Sequence, residues 1–555
     1  MRRVVLLFLI MMLIISFLPI YGLAAPDEKI KMEARVGFDG YFQLGQWIPI
    51  NVSIENAGED IKGEIEVVGN QDETTSILYS APAIIPKGSK KEINLYVLIN
   101  TLQKRVNVDL ISNGKLLKRL EIDDLIPMSR SSFLMGVLTD DQSGLNYWWE
   151  KQSGNRLFTN YEPILLGADD IPEKVEVMDN FSMLIVDDFD TGELTSAQKE
   201  TLLNWVDGGG ILIVGTGGAG AKALRGLDNI GGLEVGDEKT VLKPKVLSEL
   251  ADIEILADIP LEIRQLNHDG SWSQIVVDDS ISYILMKRRG RGYVFASGFS
   301  LGTQPITGWT GSKALWEAVL QENLEGEAFM GLKDPQSLDK LQGGGIHYGI
   351  YEILANISEM DPPSAGRLIL ILIIYLLIVG PINYFIFKRL DRRELIWLTI
   401  PTLVLIFSFG IYNLGSMAKG SDVVTNTVSI LDLSNDSSNK DVAVYTGVFI
   451  PKRGDYEFTM GNESFLTPSM PRDYYDNRSD DGRVKNIRAK LSQGSNAKTT
   501  VYNLDMWTME AFSTRYSQTD LGGIDADLLY KSGKVIGDIK NSTDYPLEDV
   551  VVLTN

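Results

Sequence analysis

Apolar and polar residues alternate with a period of two in four stretches near the N-terminus: residues 47–56, 61–69, 91–99 and 105–112. Turn residues such as Asn56-Ala57-Gly58 and Pro86-Lys87-Gly88 separate them. Short alternating strands at this spacing predict an all-β, immunoglobulin-like sandwich over residues 28–130. From residue 132 to 325 the rhythm changes. The largely apolar runs 133–138, 181–186 and 211–214 each end in an acidic or glycine-rich loop. A helix pattern lies between the second and third. Thr195 and Gln198 make a capping box, Leu202, Trp205 and Val206 share a face, and Gly208-Gly209-Gly210 stops the helix. Strand, helix, strand in this order predicts a parallel α/β sheet with right-handed crossovers. Residues 292–299 read as a later strand and 312–321 as a closing helix.

Three apolar blocks stand apart from these patterns. Arg2-Arg3 precedes an uncharged run over residues 4–20, and Gly22 and Ala24 follow before Pro26. A basic head, an apolar stretch and a small-residue site predict a signal peptide over residues 1–24, cleaved after Ala24, with an uncleaved anchor as the alternative. Residues 368–387 and 395–417 are uncharged runs of 20 and 23 residues. At ~1.5 Å per residue each crosses a hydrocarbon core of ~30 Å. Between them, residues 388–394 carry Lys388, Arg389, Arg392 and Arg393 against Asp391 and Glu394. The positive-inside rule places this loop in the cytoplasm, so the spans form a hairpin with both long flanks outside. Gly380-Pro381 and Asn383 interrupt the first span and Pro401 the second. They mark either a hinge or helix contact, with Asn383 bonding a partner helix, or irregularity tolerated near a helix end. Neither span holds an ionisable side chain, which argues against an ion or proton path through these helices alone.

Residues 326–366 form a juxtamembrane linker with a short amphipathic helix expected near 351–357. Residues 418–555 return to strand patterns and predict an extracytoplasmic β-rich domain. Residues 533–555 read as strand, turn and strand. A chain stopping in an apolar strand leads us to expect a truncated sequence.

A length of 555 residues, at ~100–200 per domain, accommodates about three or four domains. The absence of cysteine excludes disulfides, cysteine zinc sites, iron–sulfur clusters and a Cys nucleophile. His268 and His347, the two histidines, leave little room for His-based chemistry. The net charge of -22 makes the chain a poor partner for nucleic acid or anionic headgroups. Setting aside Arg2, Arg3 and the basic hairpin loop leaves about -26 on the exported mass. Such a surface attracts cations or basic partners, or simply keeps the domains soluble.

The segment LTSAQKETLLNWVDGGGILIVGTGG (residues 194–218) resembles a recurring stretch of class I glutamine-amidotransferase-like domains, and GYVFASGFSLGTQPITGW (292–309) resembles their final strand region. The resemblance implies a flavodoxin-like α/β domain over residues 132–325. Active members carry a Cys on a sharp turn after a core strand, with a downstream His and Glu. The counterpart of the Cys is Thr216, and His268 is followed by Asp269-Gly270 rather than x-Glu. The resemblance therefore implies the fold without the glutaminase reaction. Residues 375–407 are similar to the membrane hairpin of uncharacterised bacterial envelope proteins with the same domain order. That likeness implies architecture and no reaction.

The candidate site is the group Asp140, Asp141, Asp187, Asp188 and Asp190 beyond two strand ends, with Gly215, Thr216 and Gly217 beyond a third. Ligands of open α/β sheets bind at the carboxyl ends of strands, and carboxylates suit hard cations, so a divalent cation is the one cofactor to weigh. The bland alternative is solvated loop acids. The glycines fit an anion-cradling loop by spacing, or a turn retained for geometry. A Thr216 nucleophile needs an adjacent base, for which His268 is the nearest candidate in sequence order. His347 reads as a loop histidine, and Trp309 and Trp316 as core or lid residues rather than a sugar platform. The expected function is a non-catalytic integral protein of the bacterial cytoplasmic membrane. Its extracytoplasmic domains bind or scaffold an envelope protein partner, in a transport or assembly complex. A hydrolase acting on envelope glycans or peptides through the Asp group, or a ligand sensor, are the alternatives.

Overall fold

The alternating stretches near the N-terminus form strands because one side of each reaches a core. The computed structural model describes residues 29–551, except 73, 130–131, 151–159, 219, 228–229, 256–257, 279–280, 326–328, 330–331, 333–345, 356–364, 420–421, 434–438, 460–466, 469–485, 495–496, 520 and 532–533. The signal-peptide expectation falls outside these residues. The first nine strands are β1 (Ile30–Val36), β2 (Tyr41–Gln43), β3 (Trp47–Asn56), β4 (Ile61–Asn70), β5 (Thr75–Ile85), β6 (Ser89–Leu98), β7 (Val106–Ser112), β8 (Lys115–Ile122) and β9 (Ile126–Met128). β1, β3 and β6 form one antiparallel sheet; β5, β4, β7 and β8 lie in a second, and both supply one buried cluster. In β3, Ile48, Ile50, Val52 and Ile54 are buried at every second position, which is the period read in the sequence. β5 has no such period in its first half and was absent from the expected strands. It is an interior strand, buried over much of its length.

Residues 132–325 build a second layered unit. β10 (Phe133–Leu138), β11 (Tyr161–Leu166), β12 (Phe181–Val186) and β13 (Ile211–Gly215) are parallel. The chain then makes a separate hairpin, β14 (Leu233–Val241) and β15 (Leu261–His268), before β16 (Ser273–Asp278), β17 (Ile281–Arg289) and β18 (Gly292–Ser297). The sheet order is β11-β10-β12-β13-β18-β17-β16, with β18 parallel to β13 and β17 antiparallel to both of its neighbours. The five parallel strands thus follow the order 2-1-3-4-5 of a doubly wound sheet, and the chain changes direction between β10 and β12. Helices α1 (Val175–Met178), α2 (Ser196–Asp207), α3 (Gly220–Leu224), α4 (Lys245–Ala251) and α5 (Ser312–Asn323) accompany it. The capping box expected for α2 forms, and the Gln198 side chain also donates to Ala168 O and Ile171 O. Trp205, on the same helix, donates its indole N–H to Phe181 O.

The linker helix α6 (Ile346–Ala355) begins before the expected 351 and buries Ile350 and Leu354. Then come α7 (Ala365–Leu377), a π-turn at Ile378–Ile382 containing Pro381, α8 (Asn383–Arg389) and α9 (Ile396–Lys419). The stretches Leu368–Arg389 and Ile396–Asn413 are long and apolar enough to cross a membrane, and most of their side chains are exposed. Asn383 is buried between them, and its Oδ1 accepts from Thr399 Oγ1 at 3.1 Å. The rings of Tyr375 and Phe407 meet edge to face at 5.0 Å. The helix contact expected at Asn383 is therefore made within the hairpin itself.

Past the hairpin run β19 (Val424–Asp432), β20 (Asn439–Ile450), β21 (Gly454–Phe458), β22 (Thr467–Pro468), β23 (Asn486–Ser492), β24 (Lys498–Leu504), β25 (Thr508–Thr519), β26 (Ile524–Lys531) and β27 (Lys534–Asn541). Residues 418–555 are strand-rich, as expected, and some of these strands join the N-terminal sheet. β23 pairs in parallel with β5, from Asn486 opposite Thr75 to Ser492 opposite Ser80. The result is a seven-stranded sheet in the order β21-β24-β23-β5-β4-β7-β8. Without β23, the outer edge of β5 would present a row of unpaired backbone groups. Lys490 secures the junction with ion pairs to Glu64 (2.9 Å) and Glu66 (2.8 Å). β27 pairs back with β26 rather than with a strand after it, and residues 546–551 form no strand.

The three regions share one apolar cluster, running from Ile30 through Leu184 and Val214 to Ile450 and Phe512. Phe38 meets Phe181 edge to face at 4.5 Å, and Asn180 accepts from Gln43 N and donates to Trp47 O. Arg515 of β25 pairs with Asp179 (2.7 Å) and with Asp441 (2.8 Å). Arg291 reaches the same Asp441 at 3.4 Å. A second cluster lies on the other face of the parallel sheet and includes Trp148, Trp309 and Trp316.

Candidate functional site

The parallel strands β10, β12, β13 and β18 deliver their outgoing loops to one edge, so the sequence-predicted residues do meet in space. The acids lie beyond β10 and β12, on either side of the point where the chain reverses direction, where ligands of such sheets bind. The residues divide by depth.

Asp187 is 1% exposed. Its Oδ1 accepts from Leu301 N at 2.9 Å, and its Oδ2 accepts from Ser300 Oγ at 2.9 Å and Gly302 N at 2.8 Å. Its own N–H donates to Leu138 O, extending the β10–β12 ladder. Burial, aided by the neighbouring Asp188, outweighs these bonds and pushes its carboxyl above the ordinary range. The glycines crowd around this carboxylate. A Cβ on Gly215 would lie 1.8 Å from Asp187 Oδ1, and one on Gly217 would lie 2.2 Å from Ser300 N. They are glycines because the β13 and β18 loops close on Asp187 with no room for a side chain. Between them, Thr216 is buried, and its hydroxyl donates to Ser297 O at 2.7 Å.

The other acids sit outward. Lys222, on α3, reaches Asp140 and Asp188 at 2.9 Å each. Hydrogen bonds to Asp140 and then Asp188 raise its pKa. Asp188 itself takes a left-handed backbone, φ 51°. Asp190 accepts from Gly192 N at 2.9 Å and pairs with Arg225 at 2.6 Å. Asp141 caps the 3-10 turn Gln142–Trp148 by accepting from Ser143 N and Oγ, which hold its carboxyl below the ordinary range. Thr191, fully buried, donates to Ala223 O and accepts from Gly226 N, so α3 with Lys222, and the Arg225 that follows it, are held in place.

Among the described residues no group of three or more His, Cys, Asp or Glu is placed to hold a metal ion. His268 ends β15, where its Nδ1 accepts from Gly270 N and its Nε2 lies 3.3 Å from Gln274. It has no hydrogen bond to Thr216, whose proton is already committed to a carbonyl. His347 falls in α6, and its side chain is outside the described residues. Trp309 and Trp316 are core residues, 6% and 0% exposed. Sequence reasoning missed Lys222, Arg225, Ser300 and Thr191. A lone lysine and arginine soon after a glycine loop, in so acidic a chain, were the available signal.

Residues 29–123 match the model of a domain of unknown function, DUF8726. No curated protein matches the chain. Among solved structures, the chain is similar to the cytoplasmic protein STM1381 of Salmonella typhimurium LT2, with 12% identity, 35% of this chain and 100% of that one covered, and a TM-score of 0.28. It is similar to the cytoplasmic protein STM3548 of Salmonella typhimurium at 12% identity, covering 34% and 98%, with a TM-score of 0.27. It is also similar to the exo-β-1,4-mannosidase Op5Man5 of Opitutaceae bacterium strain TAV5 at 11% identity, covering 34% and 36%, with a TM-score of 0.24. Likeness this slight assigns neither fold nor reaction.

Proposed function

We propose that the protein is a non-catalytic membrane-anchored scaffold of the bacterial envelope. Residues 1–24 direct export, and the α7–α9 hairpin spans the cytoplasmic membrane. An immunoglobulin-like sandwich and a flavodoxin-like, amidotransferase-like domain stand outside. The observation that carries this reading is the parallel pairing of β23 with β5. It joins chain from before the hairpin to chain from after it, so two spans and one shared sheet require both flanks on the same side. The four basic residues of the 388–394 loop favour the outside for those flanks.

The site favours binding over catalysis. A general acid or base needs a free oxygen within reach of substrate, and both oxygens of Asp187 are occupied by the protein. Asp140 and Asp188 share one lysine in an exposed ion pair. The hydrolase reading gains no specific observation. The partner we propose is another envelope protein, in a transport or assembly complex. In vivo crosslinking tests it: stable recovery of a second membrane or envelope protein is expected, and recovery of this chain alone overturns the scaffold reading. Full complementation of a deletion phenotype by both Asp187→Ala and Asp188→Ala would remove the acids from the chemistry altogether.

A further inference from the structure

We infer that the membrane-proximal end of the β19–β20–β25 sheet docks onto the bilayer surface through an apolar rim formed by Tyr351, Ile353, Val423 and Met506. This rests on the hairpin being membrane-anchored. α9 ends at Lys419 and β19 starts at Val424, so the sheet begins within ~18 Å of the helix end. The register sets Val424 opposite Phe449, Phe449 opposite Met509 and Ile450 opposite Thr508. The start of β19, the end of β20 and the start of β25 are therefore one end of the sheet, the end tied to the membrane.

That end exposes apolar side chains: Tyr351 is 40%, Ile353 56%, Val423 48% and Met506 45% exposed. Three of these side chains are presented by fixed structure. The turn carrying Met506 is closed by Trp507 N donating to Ile450 O at 2.7 Å and by Thr508 Oγ1 donating to Asp505 O at 2.8 Å. It also holds two non-glycine residues, Asn503 and Trp507, at φ 53° and 65°. α6 is seated on the sheet by Ile350 and Leu354, and Asn426 Nδ2 donates to Ile353 O at 3.1 Å. Tyr351 and Ile353 flank that buried seam on its two sides and stay exposed. The rim's charges are mixed: Lys452 and Arg453 against Glu352, Asp422, Asp455 and Asp505, with Arg453 and Asp505 paired at 3.6 Å. The contact is therefore burial of apolar side chains at the headgroup boundary, not attraction to anionic lipid. At the opposite end Ile430 and Leu431 are also exposed, but Asp432 and Asp441 beside them are locked in ion pairs with Arg291 and Arg515.

The absence of cysteine makes the test clean, because any introduced thiol is unique. Four full-length variants, Leu405→Cys, Ile353→Cys, Met506→Cys and Gln518→Cys, are labelled with an environment-sensitive fluorophore and reconstituted in phosphatidylcholine vesicles containing spin-labelled lipid. Leu405 reports the span, and Gln518, opposite Lys440, reports the far end of the sheet. Docking predicts deep quenching at Leu405, headgroup-level quenching with a blue shift at Ile353 and Met506, and none at Gln518. If Leu405 is not quenched, the anchor fails and docking fails with it. If Leu405 is quenched while Ile353 and Met506 behave like Gln518, the anchor stands and docking is overturned.

Discussion

Asp187 is 1% exposed and gives both carboxylate oxygens to three protein donors, whereas Asp188, one residue on, pairs with Lys222 at 2.9 Å with 44% of its side chain in solvent. The inner region gathers the loops after β13 and β18 around one carboxylate. The outer region is a ring of ion pairs over the loops after β10 and β12. A like run of aspartates thus holds two physically different objects. Charge in the sequence marks the run, but burial decides which member is structural.

The largest effect that separates the two regions is expected from Asp187→Ala. It strips the partner from Ser300 Oγ, Leu301 N and Gly302 N in a buried place, and should cost about 3–5 kcal/mol in denaturant unfolding. A loss under ~1 kcal/mol would show that the loops close without the carboxylate. Gly215→Ala comes next. The added methyl meets Asp187 Oδ1, and overpacking of about 1–3 kcal/mol is expected from the same measurement, with no change for an exposed substitution such as Lys115→Ala.

Acidity sharpens the contrast further. Burial raises the Asp187 pKa, so the folded state binds this proton more tightly than the unfolded chain does. The group's contribution to stability is therefore gained as pH falls from the folded pKa toward the unfolded value of about 3.9, and lost as pH rises through that window. The melting temperature of the wild type relative to Asp187→Asn should rise on acidification; a constant difference would refute the raised pKa. The smallest effect is expected from Lys222→Met. An exposed ion pair contributes about 0–1 kcal/mol and is screened by salt, so the loss should shrink in high salt.

The two regions were also unequally legible. The acids and glycines were visible as strand-end residues, because apolar runs buried on both faces announce parallel strands. Their division was not visible, because the donors to Asp187 lie over a hundred residues further on, at Ser300–Gly302. Nor was the role of Gly215 and Gly217, whose spacing fits an anion loop while their surroundings show close packing. β3 and the α2 cap were read residue by residue, since period and capping chemistry are local. β5 and the joining of β23 to it escaped, because strand pairing depends on edges brought together from opposite sides of the hairpin.

Local chemistry alone therefore determined the elements of this protein: alternation gave the half-buried strands, apolar runs gave the parallel core and the two long helices, and missing cysteine removed whole classes of reaction. Tertiary structure decided how they combine. Hydrogen bonds and burial act between neighbours in space, so only the folded chain could make one sheet of β4, β5, β7 and β8 with β21, β23 and β24. Only there could one aspartate become a buried tie while its neighbours stayed at the surface.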